Sequence, residues 1–382
     1  MTTLTNCLLP LAGRAPLTIV SGAGSYVFDS AGRRYLDAAT GIGVNALGHA
    51  HPRVTAALID QARQSIHTSN LFHNPFQDQL AKRLCAMTRL DCAFFSSTGT
   101  EAVEAALKAV RARRRGRIVA LNRSFHGRTI GSLAVTGRAK YREPFGQLTP
   151  EVIFVEPNDC AALERAFDGD TAGMILEPIL GEGGIIPLDA DFLRLARELA
   201  MQHGALLIAD EIQCGLGRTG FRFAYEESGV QPDIVVLAKP LACGLPLGAT
   251  LFSEEAADAL PPGAHGTTFG GGPLACRLAL EFLDVMEELL PHIRRAGDQL
   301  LEGLRGLQQR HPAIAEVRGR GLLLGLQLDV AGARFVESAR ELGLLINCTH
   351  ETVLRLLPPF TLSWGEANQI VRALDEMFVQ AS

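Results

Sequence analysis

Apolar residues run in short unbroken blocks through the middle of the chain, at Ala93–Phe95, Ile118–Leu121, Val152–Val155, Gly173–Leu176, Ala205–Ala209, Ile234–Ala238 and Ala249–Phe252. Each block has the length of a strand, and an apolar run without alternation fits a strand covered on both faces. Between them the period becomes helical, over Thr100–Arg115 and Asp191–His203, and again after Pro273 from Leu274 to about Leu290. Strands alternating with helices predict an α/β domain with a mostly parallel sheet between helices. The last third reads differently. Gln299–Gln309 and Glu366–Val379 look helical, and Leu322–Leu328 and Val353–Leu357 look like strands, which together predict a smaller α+β domain beginning near residue 282.

With 47% hydrophobic and 20% charged residues, the chain has the makeup of an ordinary folded protein, so neither disorder nor coiled coil dominates it. Its 382 residues suggest roughly two or three domains. Lys and Arg number 36 against 41 Asp and Glu, and the net charge of −5 gives too weak a field to attract nucleic acid or an anionic membrane. A small-molecule site is the better expectation. The 8 cysteines stand singly with no CxxC pair, which predicts a reducing compartment. Residues 1–6 carry no Lys or Arg, and no apolar run approaches the ~18 residues of a membrane span, so the expectation is a cytoplasmic protein.

In open α/β sheets, ligands bind beyond the carboxyl ends of the strands, where loops and helix N-termini converge. Ala205–Ala209 is followed there by Asp210 and Glu211, Ile234–Ala238 by Lys239, Gly173–Leu176 by Glu177, and Ala93–Phe95 by Ser96-Ser97-Thr98-Gly99-Thr100-Glu101. The last of these fits a Thr-x-x-Glu capping box, continued by Ala102, Val103, Ala106, Leu107 and Val110 as one apolar stripe at helical spacing. Free N–H groups and hydroxyls at such a start suit a phosphate, although a plain helix cap explains the same residues, and no GxxxxGK[ST] run points to a nucleotide loop. Lys239, directly after a buried strand, is either a snorkelling surface lysine or one in chemical use. Desolvation lowers a lysine's pKa and favours the neutral amine that forms a Schiff base. Asp210 suits a cationic ring nitrogen. A phosphate site, a Schiff-base lysine and an aspartate facing a pyridinium together specify pyridoxal 5'-phosphate.

These residues carry a resemblance to the class III, ornithine-type aminotransferases of the pyridoxal-phosphate fold type I proteins. It runs from Tyr26-Val27-Phe28-Asp29 to Leu354-Arg355. The matching pieces are Gly32-x-x-Tyr35-Leu36-Asp37, Leu47-Gly48-His49-Ala50-His51-Pro52, Ser97-Thr98-Gly99-Thr100-Glu101-Ala102 and Ser124-Phe125-His126-Gly127-Arg128-Thr129. They continue with Glu177-Pro178-Ile179-Leu180-Gly181-Glu182-Gly183-Gly184, Asp210-Glu211-Ile212-Gln213-Cys214-Gly215, Ala238-Lys239 and Thr267-Thr268-Phe269-Gly270-Gly271. So many matches in one order are far more specific than any single motif. The resemblance implies an N-terminal segment over residues 1–45 packing with the small domain, a large cofactor-binding domain over 46–281 and a small domain over 282–382.

It also implies roles. Lys239 carries the Schiff base and shuttles the proton, Asp210 keeps the pyridine nitrogen protonated, Gln213 bonds the ring oxygen, and Phe125 and Ile212 sandwich the ring. Ser97, Gly99 and Thr100 bind the cofactor, the last two at its phosphate, joined by Thr268 from the other subunit of a homodimer. Arg128 grips the carboxylate far from the reacting amine and Arg355 the near carboxylate of glutamate or 2-oxoglutarate, a task suited to a planar guanidinium. Glu182 is the switch carboxylate that pairs with Arg355 when the donor has no near carboxylate. The implied reaction moves the ω-amino group of N-acetylornithine, or a close acyl-ornithine, to 2-oxoglutarate. Ile42, where ornithine aminotransferases tend to carry a tyrosine, favours the acylated donor.

Two departures stand out: Gly270-Gly271-Gly272-Pro273 replaces the usual Gly-Gly-Asn-Pro, and Lys239-Pro240-Leu241 replaces Lys-Gly-Leu. Pro240 pushes the backbone of Lys239 toward extended values. Within the superfamily the alternatives are a diamine, ornithine or ω-amino-acid transaminase, and a racemase or aminomutase. The last two have no use for a two-substrate switch such as Glu182 with Arg355. A binding protein on a retired scaffold is disfavoured by Lys239, Asp210 and Gln213 standing together. Gly215-Leu216-Gly217-Arg218-Thr219-Gly220 matches GxGxxG, but the aromatic, alternating Phe221–Tyr225 that follows does not open a helix as a dinucleotide fingerprint requires. His49-x-His51 lacks a third metal ligand nearby. The basic run of Arg111, Arg113, Arg114, Arg115 and Arg117 reads as the complement of a helix dipole, without the interleaved aromatics of a nucleic-acid surface.

Overall fold

In the computed structural model, which describes residue 9 and residues 13–381, the seven apolar blocks become one sheet. Its strands are β1 (Cys92–Ser96), β2 (Arg117–Leu121), β3 (Val152–Val155), β4 (Thr171–Leu176), β5 (Leu206–Asp210), β6 (Ile234–Leu237) and β7 (Gly248–Phe252), in the spatial order β1-β7-β6-β5-β4-β2-β3. All run parallel except β7, which is antiparallel to both neighbours. The physical reason lies in the link from β6 to β7. A parallel crossover needs about a dozen residues and usually a helix, whereas this short link holds only a single 3₁₀ turn, Lys239–Ala242. Residues 1–6 and Cys7, which entered the reading of location, lie outside the described residues.

The helix α1 (Gly99–Arg113) starts at Thr98, whose Oγ1 accepts from Glu101 N at 3.3 Å. Glu101 completes the box one residue earlier than the usual pattern, accepting from Ser97 N at 2.9 Å. The helix ends before the basic run does, because Arg114 is extended. Arg113 and Arg114 instead donate to the carbonyls of Gly204 and His203, just past the end of α2 (Ala190–Gln202), so their side chains cap a neighbouring helix. After Gly215–Gly220 no helix opens. Residues 211–223 turn, and the next element is a 3₁₀ turn at Ala224–Ser228.

The two helical stretches read on either side of residue 290 are one helix. α3 (Pro273–Arg310) has 38 residues and passes straight through Pro291 and through the boundary placed near residue 282. At 1.5 Å per residue it is about 57 Å long. The proline removes one hydrogen bond and costs about 3 kcal/mol, and burial of Phe282, Leu283, Met286, Leu290, Ile293, Leu300 and Leu304 on one side outweighs that cost. Beyond α3, Ile314–Arg320, Leu323–Leu328, Val353–Leu356 and Asn347–Thr349 form an antiparallel sheet in that spatial order, and α4 (Trp364–Ala381) closes the chain. The N-terminal strands Ile19–Ala23, Tyr26–Asp29 and Arg34–Asp37 form a sheet with Leu344–Leu345, pairing Leu36 with Leu344.

Candidate active site

Because β1, β4, β5 and β6 all run in one direction, the residues at their carboxyl ends converge. They line a cavity of ≈ 440 Å³ whose wall includes Ser97, Gly99, Thr100, Phe125, Arg128, Glu182, Asp210, Ile212, Gln213 and Lys239. Arg355 stands just behind that wall, and Thr268 is outside the cavity on the exposed loop that follows Leu260. Val44 lines the cavity, and Ile42, two residues earlier, does not.

Lys239 is half-buried, and its φ is +34°, in the left-handed region instead of the extended values that Pro240 favours. A proline disfavours the right-handed helical region for the preceding residue, and the tight turn from β6 into the 3₁₀ turn takes the left-handed alternative, at about 1–3 kcal/mol of strain. Burial pulls the Lys239 amine below the ordinary lysine value, against the opposing charges of Asp210, Glu182 and Glu177.

Asp210, 2% exposed, is held at both oxygens. Oδ1 accepts from Ile212 N at 3.0 Å, and Oδ2 lies 2.6 Å from His126 Nδ1. That contact assigns the proton to Nδ1, and the buried Nε2 has no partner. Glu177, also buried, accepts from Phe125 N at 2.8 Å and Gly181 N at 3.0 Å. Burial, opposed by nearby His126, pushes its carboxyl up to about 7. His126 and Glu177 both line the cavity and were not among the predicted site residues. His126 sits inside the Phe-His-Gly-Arg motif, but its partner Asp210 is 84 residues away, and no local pattern announces that pairing.

At the start of α1, the N–H groups of Gly99 and Thr100 occupy the first two helical positions, where no intrahelical acceptor exists. The Thr100 hydroxyl is otherwise engaged: it bonds Ser132 Oγ at 2.6 Å and Thr129 Oγ1 at 2.8 Å, and accepts from Arg128 N and Thr129 N, both at 3.3 Å. Its backbone thus offers an anion what its side chain does not. A Cβ on Gly99 would lie 2.9 Å from Ile212 Cδ1, so glycine is what lets the helix start approach that side chain.

Deeper in the wall, the fully buried Arg355 gives Nη1 to Glu182 Oε1 at 2.6 Å, to Gln213 Oε1 at 3.0 Å and to Gly181 O at 3.3 Å, while Nε reaches Asn347 Oδ1 at 3.1 Å. Its Nη2 is buried without a partner. Burial works to raise the Glu182 carboxyl, and the charge and hydrogen bond of Arg355 outweigh it, leaving Glu182 below its ordinary value. Elsewhere, His49 bonds Asp37 at 2.9 Å and His51 precedes the helix Pro52–Gln64, and among the described residues no cluster of three metal-ligating side chains forms. None of their helices is long and apolar enough to cross a membrane.

The arrangement offers a desolvated amine, a buried carboxylate held by a histidine, a helix start for an anion and a buried guanidinium paired with a carboxylate of the cavity wall. The Aminotransferase class-III family matches residues 11–378. The chain is 44% identical to the acetylornithine aminotransferase of Methanocaldococcus jannaschii, over 97% of this chain and 96% of that one, and 42% identical to that of Aquifex aeolicus, over 95% and 97%. The crystal structure of ornithine aminotransferase from Toxoplasma gondii, with partial occupancy of PLP at its active site, superposes with a TM-score of 0.92 at 34% identity, covering 96% of this chain and 91% of that one. With its fold, the order of its motifs and a match over nearly its whole length, this chain belongs to the class III aminotransferases.

Proposed function

We propose that this enzyme uses pyridoxal 5'-phosphate to move the ω-amino group of N-acetylornithine, or a close acyl-ornithine, to 2-oxoglutarate, giving the semialdehyde and glutamate. The observation that carries this reading is the pair formed by Glu182, in the wall of the cavity that holds Lys239 and Asp210, with Arg355 just behind it. A transaminase with two unlike substrates needs a cation that can be masked for one and opened for the other. The acylated donor is supported by the relatives from M. jannaschii and A. aeolicus.

The residues fit the cofactor. Asp210 is a buried acceptor fixed at both oxygens, Gly99 and Thr100 present N–H groups to a phosphate, and Phe125 and Ile212 offer half-buried apolar faces on the same cavity. When bound, the cofactor supplies an electron sink for the charge left as a proton leaves the substrate carbon. Lys239 Nζ, whose burial favours its neutral form, would take up that proton and give it back. Asp210 would be the partner of the cofactor's ring nitrogen, and His126, 2.6 Å from its Oδ2, keeps the carboxylate from turning away. Gln213, which accepts from Arg355 at 3.0 Å, would hydrogen-bond the cofactor's ring oxygen. Arg355 binds the near carboxylate of glutamate or 2-oxoglutarate once Glu182 releases it, and Arg128 binds the far carboxylate.

The same reading makes the enzyme a homodimer in which Thr268 serves the phosphate of the partner's site. Exposed apolar side chains support it: Ile66, Leu71, Phe72 and Phe269 stand between 61% and 85% exposed. Asn70 ties their two segments together by donating to Thr267 O and Gly270 O, both at 3.1 Å. A patch of this kind in a folded chain is characteristic of a subunit contact. A cytoplasmic setting fits the described cysteines, all of them free.

The test is the visible absorbance of the purified holoenzyme with N-acetylornithine and no keto acid, so that half a reaction occurs. The cofactor band should bleach and return with 2-oxoglutarate. A band indifferent to this donor but bleached by free ornithine would transfer the assignment to the ornithine branch, which the likeness to the T. gondii enzyme makes the second reading.

A further inference from the structure

Arg128 is exposed at the cavity, and among the described residues its guanidinium makes no ion pair and no side-chain hydrogen bond. It is nevertheless held. Its carbon lies 3.7 Å from the ring centroid of Tyr141, with the Phe125 ring at 5.5 Å. Tyr141 is half-buried on a short helix, Ala139–Arg142, and meets Phe125 edge to face at 6.3 Å and 87°. Its hydroxyl accepts from Arg138 Nη1 at 3.2 Å, and the Arg138 guanidinium also lies 5.0 Å from the same ring. Lys140, 6.0 Å from that ring, is tied away to Glu351 at 2.9 Å.

We propose that Tyr141 is a specificity-determining residue, which stacks on Arg128 and pre-forms it as the receptor for the carboxylate far from the transferred amine. The proposal rests on the reading of Arg128 given above. Stacking engages the face of a guanidinium and leaves its five N–H donors in plane, free for a carboxylate. A long arginine side chain left loose would have to be ordered at each binding event, and a ring beneath it removes that ordering from the cost of binding. The backbone is held as well, since Arg128 N and Thr129 N both donate to Thr100 Oγ1 at 3.3 Å. The edge contact with Phe125 ties the receptor to the ring that faces the cofactor.

The experiment titrates the holoenzyme with N-acetylnorvaline, which keeps the acyl group and the carboxylate but has no amine to transfer, and with its carboxamide, following heat of binding. The quantity read is the preference for acid over amide, because general damage weakens both alike. Tyr141→Leu should lower that preference about tenfold, the scale of ordering one long side chain. Tyr141→Phe, which keeps the ring, should stay within about threefold of wild type, and Arg128→Gln should abolish the preference. Should the leucine variant not fold, Tyr141→Met poses the same question. An unchanged preference in Tyr141→Leu beside a lost one in Arg128→Gln overturns the role of Tyr141 and leaves Arg128 standing. An unchanged preference in Arg128→Gln, or none in wild type, overturns the reading of Arg128 itself. Equal weakening of acid and amide in Tyr141→Leu reduces Tyr141 to a structural part, and an equal loss in Tyr141→Phe assigns the effect to the Arg138 hydrogen bond and refutes stacking.

Discussion

Replacing Glu182 by alanine should shift the enzyme's preference between its two amine donors strongly toward glutamate. In the resting site Glu182 and Arg355 meet at 2.6 Å, with Arg355 at 0% and Glu182 at 22% side-chain exposure. Unit charges about 4 Å apart attract by about 4 kcal/mol at an effective dielectric of 20. Part of this returns when Glu182 swings out into water, so opening the pair costs about 1–2 kcal/mol. If Glu182 is the switch proposed above, glutamate bears that cost each time its carboxylate takes Glu182's place. In Glu182→Ala the cost disappears, and the half-reaction constant for glutamate should improve about tenfold. An acyl-ornithine has no carboxylate to offer at that point and meets an unpaired buried cation. Removing one partner of a buried pair is costly because the remaining charge is left uncompensated, and its half-reaction constant should fall about tenfold. The ratio of the two donors therefore moves about a hundredfold. Stopped-flow absorbance of the bound cofactor, with each donor alone, measures both constants. A ratio within twofold of wild type, or a shift toward the acylated amine, would refute the switch.

Lys239→Ala should abolish turnover while leaving a folded protein, and near-normal transamination by that variant would sink the assignment of the amine. Asp210→Asn keeps the shape but removes the charge, so the half-reaction rate should drop by about a hundredfold or more, measured in the same stopped-flow assay. Thr98→Ala removes the hydroxyl that accepts from Glu101 N and should cost about 1 kcal/mol of stability, read from the denaturant midpoint. Glu211 is buried, and desolvation, only partly offset by the N–H groups of Ala224 and Tyr225, raises its carboxyl from 4.5 to about 7. The folded state therefore keeps a proton that the unfolded chain gives up, and this stabilisation, full below pH 4.5, is lost as pH rises to about 7. At about 1.36 kcal/mol per pH unit the loss is about 3 kcal/mol, so the stability of wild type relative to Glu211→Gln should fall by that amount as pH rises over this range. A gap that does not vary with pH would contradict the protonated carboxyl.

The sheet was legible because each of its strands is an unbroken apolar block, and that pattern survives any error in register. The chemistry at its edge was legible for a related reason: the ends of parallel strands share one side, so Lys239 and Asp210 had to meet. Long-range pairing was not legible. Nothing near His126 signals Asp210, and nothing near Arg128 signals Tyr141, because each contact joins residues that only the finished fold brings together. The unbroken α3 was hidden by Pro291, whose local preference argues for a stop and is overridden by the apolar side chains packed on either side of it. The Lys239 backbone was hidden likewise, since the rule for residues before proline gives the common outcome and a tight turn selected the rarer one.

The pairing of the N-terminal strands with residues 344–345 sets an order of assembly. Lys239, Asp210 and the start of α1 belong to the sheet between residues 92 and 252, which is complete once that stretch has left the ribosome. The strand carrying Arg355 is different. At its end Leu357 N donates to Ala38 O at 2.7 Å, Thr40 Oγ1 donates to Leu357 O at 2.6 Å, and Phe360 N donates to Ala46 O at 2.6 Å. Those contacts join residues more than 300 positions apart, and loops of that span close late. The half of the site that handles the proton can thus form during synthesis. Arg355, unlike Arg128, Tyr141 and Glu182, waits for the last strands of the fold, while the segment around residues 38–46 stands exposed and open to wrong partners.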